Sequence, residues 1–406
     1  MNLYLVIVLL PFPIIIFGLT WVWFVKYPKQ WRKILPIYIY TIWILGYCLV
    51  PSYRNDMTRY FEILDRIKYL NLRDAILLMN DGLYLENVVF WLVSKIGMYH
   101  ILPANSCAIV YGVGAYIICS EAEKSGDLKN IWLSLLIEFG MLPLFSIANN
   151  IRNVAAFGLI VFAAYRDMHE RKRNAFTYAL YLLPIFLHKT GLVLVALRLL
   201  VPLFKRVKVL AAALVVGLPT IIGYTNQHLN YFSTGNPITR LLRTLIHSSY
   251  AYMLGGTDYA ESVKNSLGET VIRITVLFFL LVCVITYLYD KKSNIRHEEK
   301  NSIQDYSFLI SIMTFACNLF DAPAYWRFAV AAIIAGGPIL NNISNKRLRS
   351  VLLGNSVFVF GIAIAAFRLF LSVEYMRTRI SFAQYGEDLI LTNIYSIAVE
   401  LLRNTF

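Results

Sequence analysis

Long apolar runs separated by short polar stretches make up most of this chain. A helix needs about 20 apolar residues to cross the hydrocarbon core of a bilayer, and most of the runs approach that length. None shows the alternation of apolar and polar positions that is typical of membrane β-strands. We therefore predict an all-α, polytopic integral membrane protein with about 12 transmembrane helices. The predicted spans are residues 3–25, 34–50, 104–119, 131–148, 151–165, 175–187, 190–204, 208–224, 270–290, 303–320, 325–341 and 350–370.

Basic clusters in the connections between these runs predict the orientation of the chain. Short loops rich in Lys and Arg stay on the cytoplasmic side, and this requirement limits how many crossings separate two such loops. The clusters are Lys26, Lys29, Arg32 and Lys33; Arg166, Arg171, Lys172 and Arg173; Lys205, Arg206 and Lys208; Lys291, Lys292, Arg296 and Lys300; and Lys346, Arg347 and Arg349.

The number of crossings that the basic clusters allow decides the interpretation of two regions. Residues 84–102 are nearly apolar enough to span, but a crossing there would move the second basic cluster away from the cytoplasm, so we predict a re-entrant or interfacial helix. Residues 175–204 fit two short crossings with His188 and Lys189 at the outer tip. We expect one polytopic domain over 1–406, with outer segments 51–103 and 225–269.

The two ends of the chain are expected on the outer side. The first run has no basic residue before it and no small-residue cleavage site, so we expect it to remain as a span. The tail 371–406 follows the last predicted span, and its residues 388–402 form either an interfacial helix or a thirteenth span.

Composition supports the membrane prediction and excludes several kinds of site. Of 406 residues, 58% are hydrophobic and 15% are charged, against roughly 25% charged in soluble proteins. The net charge of +14 lies in short loops, where it suits anionic lipid and not nucleic acid. The five Cys lie in apolar runs without metal-ligand spacing, and neither a Walker motif nor a GxSxG motif is present. We therefore expect no metal, no cofactor and a substrate that arrives already activated, which lipid pyrophosphate fits.

Single ionisable residues at the ends of apolar runs are the main candidates for a functional site. The predicted orientation places all of them on the non-cytoplasmic side, where charges at membrane depth are costly and therefore functional candidates. They are Arg54, Asp56, Glu86, Arg152, His188, Asp321 and Arg327. Their shared side predicts one polar site for an anionic substrate.

The cluster that follows the second predicted span combines Arg54 and Asp56 with Arg59 and Tyr60. The donors of an arginine suit phosphate oxygens, and Asp56 is a candidate either to orient an arginine or to take a proton from a sugar hydroxyl. An interfacial Arg–Asp pair that only anchors a helix end is the alternative. Glu86 either lines the site or favours the helix dipole from the first turn of its helix.

Arg152 lies between two apolar runs with almost no loop, so its charge is expected to face a polar cavity or an anion. Asn149 and Asn153 beside it offer amide groups that suit sugar hydroxyls. His188 is a candidate general base, with a structural histidine as the alternative.

The last cluster contains Asp321, Trp326 and Arg327. Asp321 and Arg327 either pair with each other across the turn, or Arg327 binds phosphate. Trp326, together with Tyr325, offers a surface on which a sugar ring can stack.

Short motifs at these positions resemble the EpsG/Wzy-type family of bacterial polysaccharide polymerases. The matching segments are Tyr53-Arg54-Asn55-Asp56-Met57-Thr58-Arg59-Tyr60, Glu86 before an aromatic-rich helix, Ile151-Arg152-Asn153, Leu187-His188-Lys189-Thr190 and Arg327-Phe328. The resemblance implies a multi-span lipid-linked glycosyltransferase of GT-C-like architecture. Its relatives polymerise O-antigen (a lipopolysaccharide component), capsule or exopolysaccharide repeats.

This resemblance leads to a functional hypothesis. A growing glycan on undecaprenyl pyrophosphate would be transferred to a lipid-linked acceptor repeat at the outer face of the bacterial inner membrane. His188, Asp56 and Arg152 are the catalytic candidates, with the base left open between His188 and Asp56. The substrate-binding candidates are Arg54, Arg59, Tyr60, Glu86, Asn149, Asn153, Asp321, Trp326 and Arg327. An O-antigen ligase and a lipid-linked oligosaccharide flippase are the alternatives, and a chain-length regulator and a separate flippase are candidate partners.

Overall fold

The computed structural model describes residues 13–49, 56–79, 83–228, 301–319 and 325–344, with a few single positions between 239 and 363. Arg54, Asp321, the tail 371–406 and most of the predicted outer segment 225–269 lie outside the described residues. Every regular element in the described part of the chain is a helix. This agrees with the predicted all-α class.

The chain forms two compact units. The first comprises Met1–Gly158 together with Leu340–Phe406, and the second comprises Leu159–Ile339. The boundaries therefore fall inside two helices, one that begins at Ile151 and one that begins at Gly337. The prediction of a single membrane domain stays a prediction.

The described helices of the first unit come mainly from the first part of the chain. They are α1 (Pro13–Lys26), α2 (Trp31–Tyr47), α3 (Asp56–Ile67), α4 (Leu72–Met79), α5 (Tyr84–Ile96), α6 (Ile101–Ser125), α7 (Ile131–Met141), α8 (Leu144–Asn149) and the start of α9 (Ile151–Met168). Helix α6 packs along α2, and the backbone of Gly46 approaches it so closely that a Cβ there would lie 3.0 Å from the Ala104 Cα.

The second unit begins within α9 and continues through helices of variable length. They are α10 (Ala175–Leu182), a 3₁₀ turn at Leu183–Phe186, α11 (Gly191–Arg206), α12 (Lys208–Gln227), α13 (Asn301–Leu319) and α14 (Tyr325–Ala335), followed by α15 (Gly337–Ser344), which ends in the first unit. Helix α13 packs against α11, α12 and α14.

The length and apolar composition of α6 allow it to cross a membrane alone. Helix α12 passes the same test only as a bent pair, with 47° between Lys208–Leu218 and Thr220–Gln227. The remaining apolar helices of the described residues are shorter. This pattern is consistent with a membrane protein, while the predicted number of spans stays a prediction.

Several predicted spans are interrupted, because local backbone chemistry ends a helix within an apolar run. Pro143 has an extended ψ of 126° and divides the predicted span 131–148 into α7 and α8. In the predicted helix 84–102, Gly97 adopts a left-handed φ of 76°, so α5 ends at Ile96. The predicted span 325–341 is divided into α14 and α15 at Gly336. Apolar periodicity alone does not show such breaks.

A network of charged and polar side chains joins three helices and one connecting loop of the second unit. Asp167, near the end of α9, accepts from Arg173 Nε at 2.7 Å and from Arg198 Nε of α11 at 2.8 Å. Tyr181 of α10 lies 3.4 Å from the same carboxylate. Because Asp167 is buried, this network compensates a charge that would otherwise be costly inside the unit.

Candidate functional site

Three predicted site residues from three different helices of the first unit contact one another. Arg152 of α9 donates from NH1 to the Glu86 Oε1 of α5 at 2.6 Å, and from Nε to the Tyr60 Oη of α3 at 2.9 Å. The three residues are therefore a single hydrogen-bonded group, which we call the Arg152 cluster.

The start of α9 determines the position of Arg152. Helix α8 ends at Asn149, Asn150 alone separates the two helices, and Arg152 is the second residue of α9. Ser106 of α6 donates to the Ile151 carbonyl at 3.1 Å, which attaches this helix start to α6. A helix N-terminus carries a partial positive charge and backbone N–H groups without partners inside the helix, so it suits an anion.

The two charged side chains differ in how far they are buried. The Glu86 side chain is 1% exposed, whereas the Arg152 side chain is 19% exposed. A buried carboxylate requires a cation and hydrogen bonds to remain charged. Glu86 therefore fixes the guanidinium from the inside, while part of Arg152 stays accessible. A guanidinium presents five N–H donors in a planar fork, an arrangement that suits an oxyanion.

Tyr60 supports the same guanidinium in two ways. Its ring packs edge-on against Phe90 at 5.6 Å between centroids, and the Arg152 guanidinium carbon lies 5.0 Å from its ring centroid. Burial raises the pKa of Tyr60, and Arg152 opposes that shift only in part, so the phenol is neutral at physiological pH. Because the oxygen accepts from Arg152, the phenol O–H is directed away from the guanidinium.

Asp56 and Arg59 lie beside the Arg152 cluster in the first turns of α3. Their side chains form an exposed pair at 3.2 Å, and the Arg59 guanidinium carbon is 5.7 Å from the Tyr60 ring centroid. Exposed ion pairs contribute little to stability and exchange partners easily. Either residue can therefore turn to a bound substrate at small cost.

The two predicted asparagines lie on both sides of Arg152 in sequence. Asn153 is 4% exposed, and its Oδ1 has no hydrogen-bond donor among the described residues. The Oδ1 of Asn149 is also buried, again without a donor in the described ranges. Buried carbonyl oxygens of this kind are suited to accept from hydroxyl groups.

His188, Trp326 and Arg327 belong to the second unit. His188 is buried between the 3₁₀ turn and α11, and its Nδ1 shares a hydrogen bond with the Thr190 hydroxyl. Trp326 and Arg327 lie in the first turn of α14. Next to them, the Arg273 guanidinium carbon is 5.6 Å from the Tyr325 ring centroid. The predicted pairing of Arg327 with Asp321 lies outside the described residues.

Two charged residues of structural importance were not predicted from the sequence. Glu138 lies inside the predicted span 131–148, and Arg198 lies inside 190–204. The candidates were selected at the ends of apolar runs, whereas these two charges occur within them. A charge in the middle of a run was the signal that could have identified both.

Comparison with known proteins gives one match. Residues 37–385 match the EpsG family, and this range contains the whole Arg152 cluster. No curated protein and no solved structure matches the chain.

Proposed function

The chain belongs to the EpsG family, the family of Wzy-type polysaccharide polymerases, and from that premise we propose that it elongates a lipid-linked glycan. The donor would be a growing chain on undecaprenyl pyrophosphate, and the acceptor a single repeat unit on the same carrier. The reaction would take place at the outer face of the inner membrane. The observation that carries the proposal is the Arg152 cluster, in which a partly exposed arginine is fixed at a helix N-terminus.

In the proposed reaction, an acceptor hydroxyl attacks the anomeric carbon of the donor sugar. A new glycosidic C–O bond forms, the bond from that carbon to the pyrophosphate breaks, and the lipid pyrophosphate leaves with the electron pair. The hydroxyl proton passes to a general base, for which Asp56 and His188 remain the candidates. The balance of atoms and charge requires no metal and no further reactant.

Arg152 would stabilise the negative charge that develops on the leaving pyrophosphate. Donors that are already oriented before the reaction contribute most to such stabilisation, and loss of one typically lowers the rate by about 10²–10³. Glu86 would orient Arg152, because it accepts from NH1 at the buried end of the cluster. Arg59 and the Tyr60 hydroxyl would bind phosphate or sugar oxygens nearby.

The proposal requires a cation at position 152. A purely structural ion pair has no such requirement, because it would also form with its two charges exchanged. We therefore suggest the exchange of Arg152→Glu with Glu86→Arg, which retains both charges and reverses their positions. The single variants leave a charge uncompensated, and their membrane levels are expected to fall. In the double variant the protein level is expected to recover, while long glycan chains remain absent.

The readout is the surface-glycan gel profile of a strain that lacks the gene and carries each variant. Arg32→Ala is the control, because it removes an exposed arginine from its pair with Glu123 and should leave the ladder unchanged. Recovery of long chains in the exchanged variant would contradict the proposed role of Arg152. In the strain without the gene, polymer that accumulates on its lipid carrier would indicate a ligase, and a loss of all surface repeats would indicate a flippase.

A further inference from the structure

Glu138 of α7 is a fully buried carboxyl group that the proposed reaction does not use. It is 0% exposed, and neither of its oxygens has a hydrogen-bond partner among the described residues. The carboxyl group occupies the space left by Gly114 of α6, where an added Cβ would lie 1.5 Å from Oε1. Glu138 therefore packs directly on a helix backbone in the first unit.

An aromatic cluster of the first unit lies next to Glu138 in the sequence. The neighbouring Phe139 ring contacts Phe17 and Trp21 of α1 at 5.8 and 6.3 Å, and Tyr111 of α6 at 5.3 Å between centroids. A carboxyl group that is fully buried and has no hydrogen-bond partner among the described residues is strongly disfavoured in its ionised form.

The titratable groups that the described residues place near Glu138 are uncharged when protonated. Tyr38 of α2 and Cys119 of α6 lie close enough to interact with it electrostatically, and Tyr111 donates its hydroxyl proton to the Leu142 carbonyl. The Tyr38 hydroxyl is itself buried without a hydrogen-bond partner in the described ranges. Within the part of the chain that the structure describes, no basic side chain acts on Glu138.

Glu86 provides a direct comparison within the same unit. Both glutamates are almost completely buried, but Glu86 contacts the Arg152 guanidinium at 2.6 Å, whereas no ion pair to Glu138 occurs among the described residues. A nearby cation favours the charged form of a carboxyl group, whereas desolvation favours the neutral form. The two residues should therefore differ in protonation although they are equally buried.

We propose that Glu138 is a proton-binding site in the apolar interior of the first unit, occupied at physiological pH, and that hydrophobic carbodiimides modify it. These reagents require a protonated carboxyl group. The acid O–H adds across a C=N bond of the reagent to give an O-acylisourea, which rearranges by acyl transfer from oxygen to nitrogen into a stable N-acylurea. No group leaves, and no other reactant is consumed.

Infrared spectroscopy of the full-length protein in membranes tests the proton site. A protonated carboxyl group absorbs above the amide I band, and an ordinary glutamate loses this absorption above about pH 5 because its pKa is about 4.3. We expect a carboxyl band at about pH 7 in the unmodified protein that is absent from Glu138→Gln. Absence of that band at about pH 7 would overturn the proposal.

Treatment of the unmodified protein with dicyclohexylcarbodiimide, followed by peptide mass spectrometry, is the second measurement and needs no variant. We expect the adduct on the peptide that contains Glu138 and none on the peptide that contains Glu86. An adduct on Glu86 without one on Glu138 would overturn the proposed difference in protonation. A carboxyl band without any adduct would support the proton site and refute the modification site.

Discussion

Arg152 and Glu86 are individually unremarkable in sequence, and their importance comes from unequal burial. The Glu86 carboxylate is buried inside the unit, whereas the Arg152 guanidinium reaches its surface in part. The cation is therefore the accessible member of the pair. A buried ion pair gains little stability over an apolar substitute. A pair whose cation remains partly accessible at a helix start is more useful for binding an anion than for stabilising the fold.

The Tyr60 hydroxyl is expected to matter more for activity than for the packing of α3 against α5. Tyr60→Phe removes the acceptor of the Arg152 Nε hydrogen bond but keeps the ring that packs on Phe90. Hydrogen bonds to charged groups contribute about 1.5–3 kcal/mol, which corresponds to a roughly 10- to 100-fold slower reaction. Polymer length on gels, compared at equal membrane levels of protein, measures this effect. A variant with unchanged chain length would remove Tyr60 from the proposed site.

Between helices, small residues determine which side chains can approach one another. The Glu138 carboxyl group lies against Gly114, so α6 and α7 are close at that level. In contrast, α9 and α11 of the second unit are joined by the charged contact of Asp167 with Arg198. Neighbouring helices are thus joined both by close packing at a glycine and by charged contacts.

Substitution of Gly114 is expected to disturb the contact of α6 with α7. Gly114→Ala places a methyl group where the Glu138 oxygen lies, so the amount of folded protein in the membrane should fall severalfold. The double variant with Glu138→Ala removes the obstructing carboxyl group and should restore most of it, because mutations of residues in direct contact are not additive. The thermal stability of each variant in detergent measures this effect. Equal stability of the two would contradict a direct contact.

The Asp167 network is expected to stabilise the second unit. Asp167→Ala leaves Arg198 inside the unit without its carboxylate, and loss of one partner of a buried pair costs about 3–5 kcal/mol. Arg32→Ala breaks an exposed pair with Glu123, where the expected cost is about 0–1 kcal/mol. Denaturation in detergent should separate the two variants clearly, and similar losses would show that the Asp167 network is not structural.

For the whole chain, the sequence predicts orientation from charge alone. The basic clusters at residues 26–33 and 166–173 are expected at the cytoplasm, and the start of α9 at the opposite side. The proposed reaction depends on this orientation, because a lipid-linked repeat would be polymerised only on the side where it is presented.

Cysteine labelling in intact cells checks this orientation. Cys48, Cys107, Cys119 and Cys317 are buried, so they should give little background with a membrane-impermeant thiol reagent, and Cys283, which lies outside the described residues, is replaced by Ser. We expect Lys189→Cys to react from outside and Arg171→Cys to react only after the cells are opened. The reverse result would place the Arg152 cluster at the cytoplasmic side and contradict the proposed location of the reaction.

Apolar runs and short motifs were sufficient to predict the all-α class and the family. They also indicated Tyr60, Glu86 and Arg152 as separate candidates. The contacts among these three residues could not be predicted, because their positions are 66 to 92 residues apart and nothing local indicates which charges meet. Helix ends at Pro143 and Gly97 were missed, since apolar periodicity continues through both. Glu138 and Arg198 were missed because each is a single charge within a run that is otherwise strongly apolar.

The distance in sequence between Glu86 and Arg152 also has a consequence for how the protein is made. The two residues are 66 positions apart, so at about 5–20 residues per second a ribosome adds Arg152 roughly 3–13 s after Glu86. During that interval the nascent chain holds an acidic residue whose final cation does not yet exist. Until then, Glu86 must remain in water, at the lipid headgroups or inside the insertion machinery. Helix α5 can therefore reach its buried position only after the start of α9 has been synthesised.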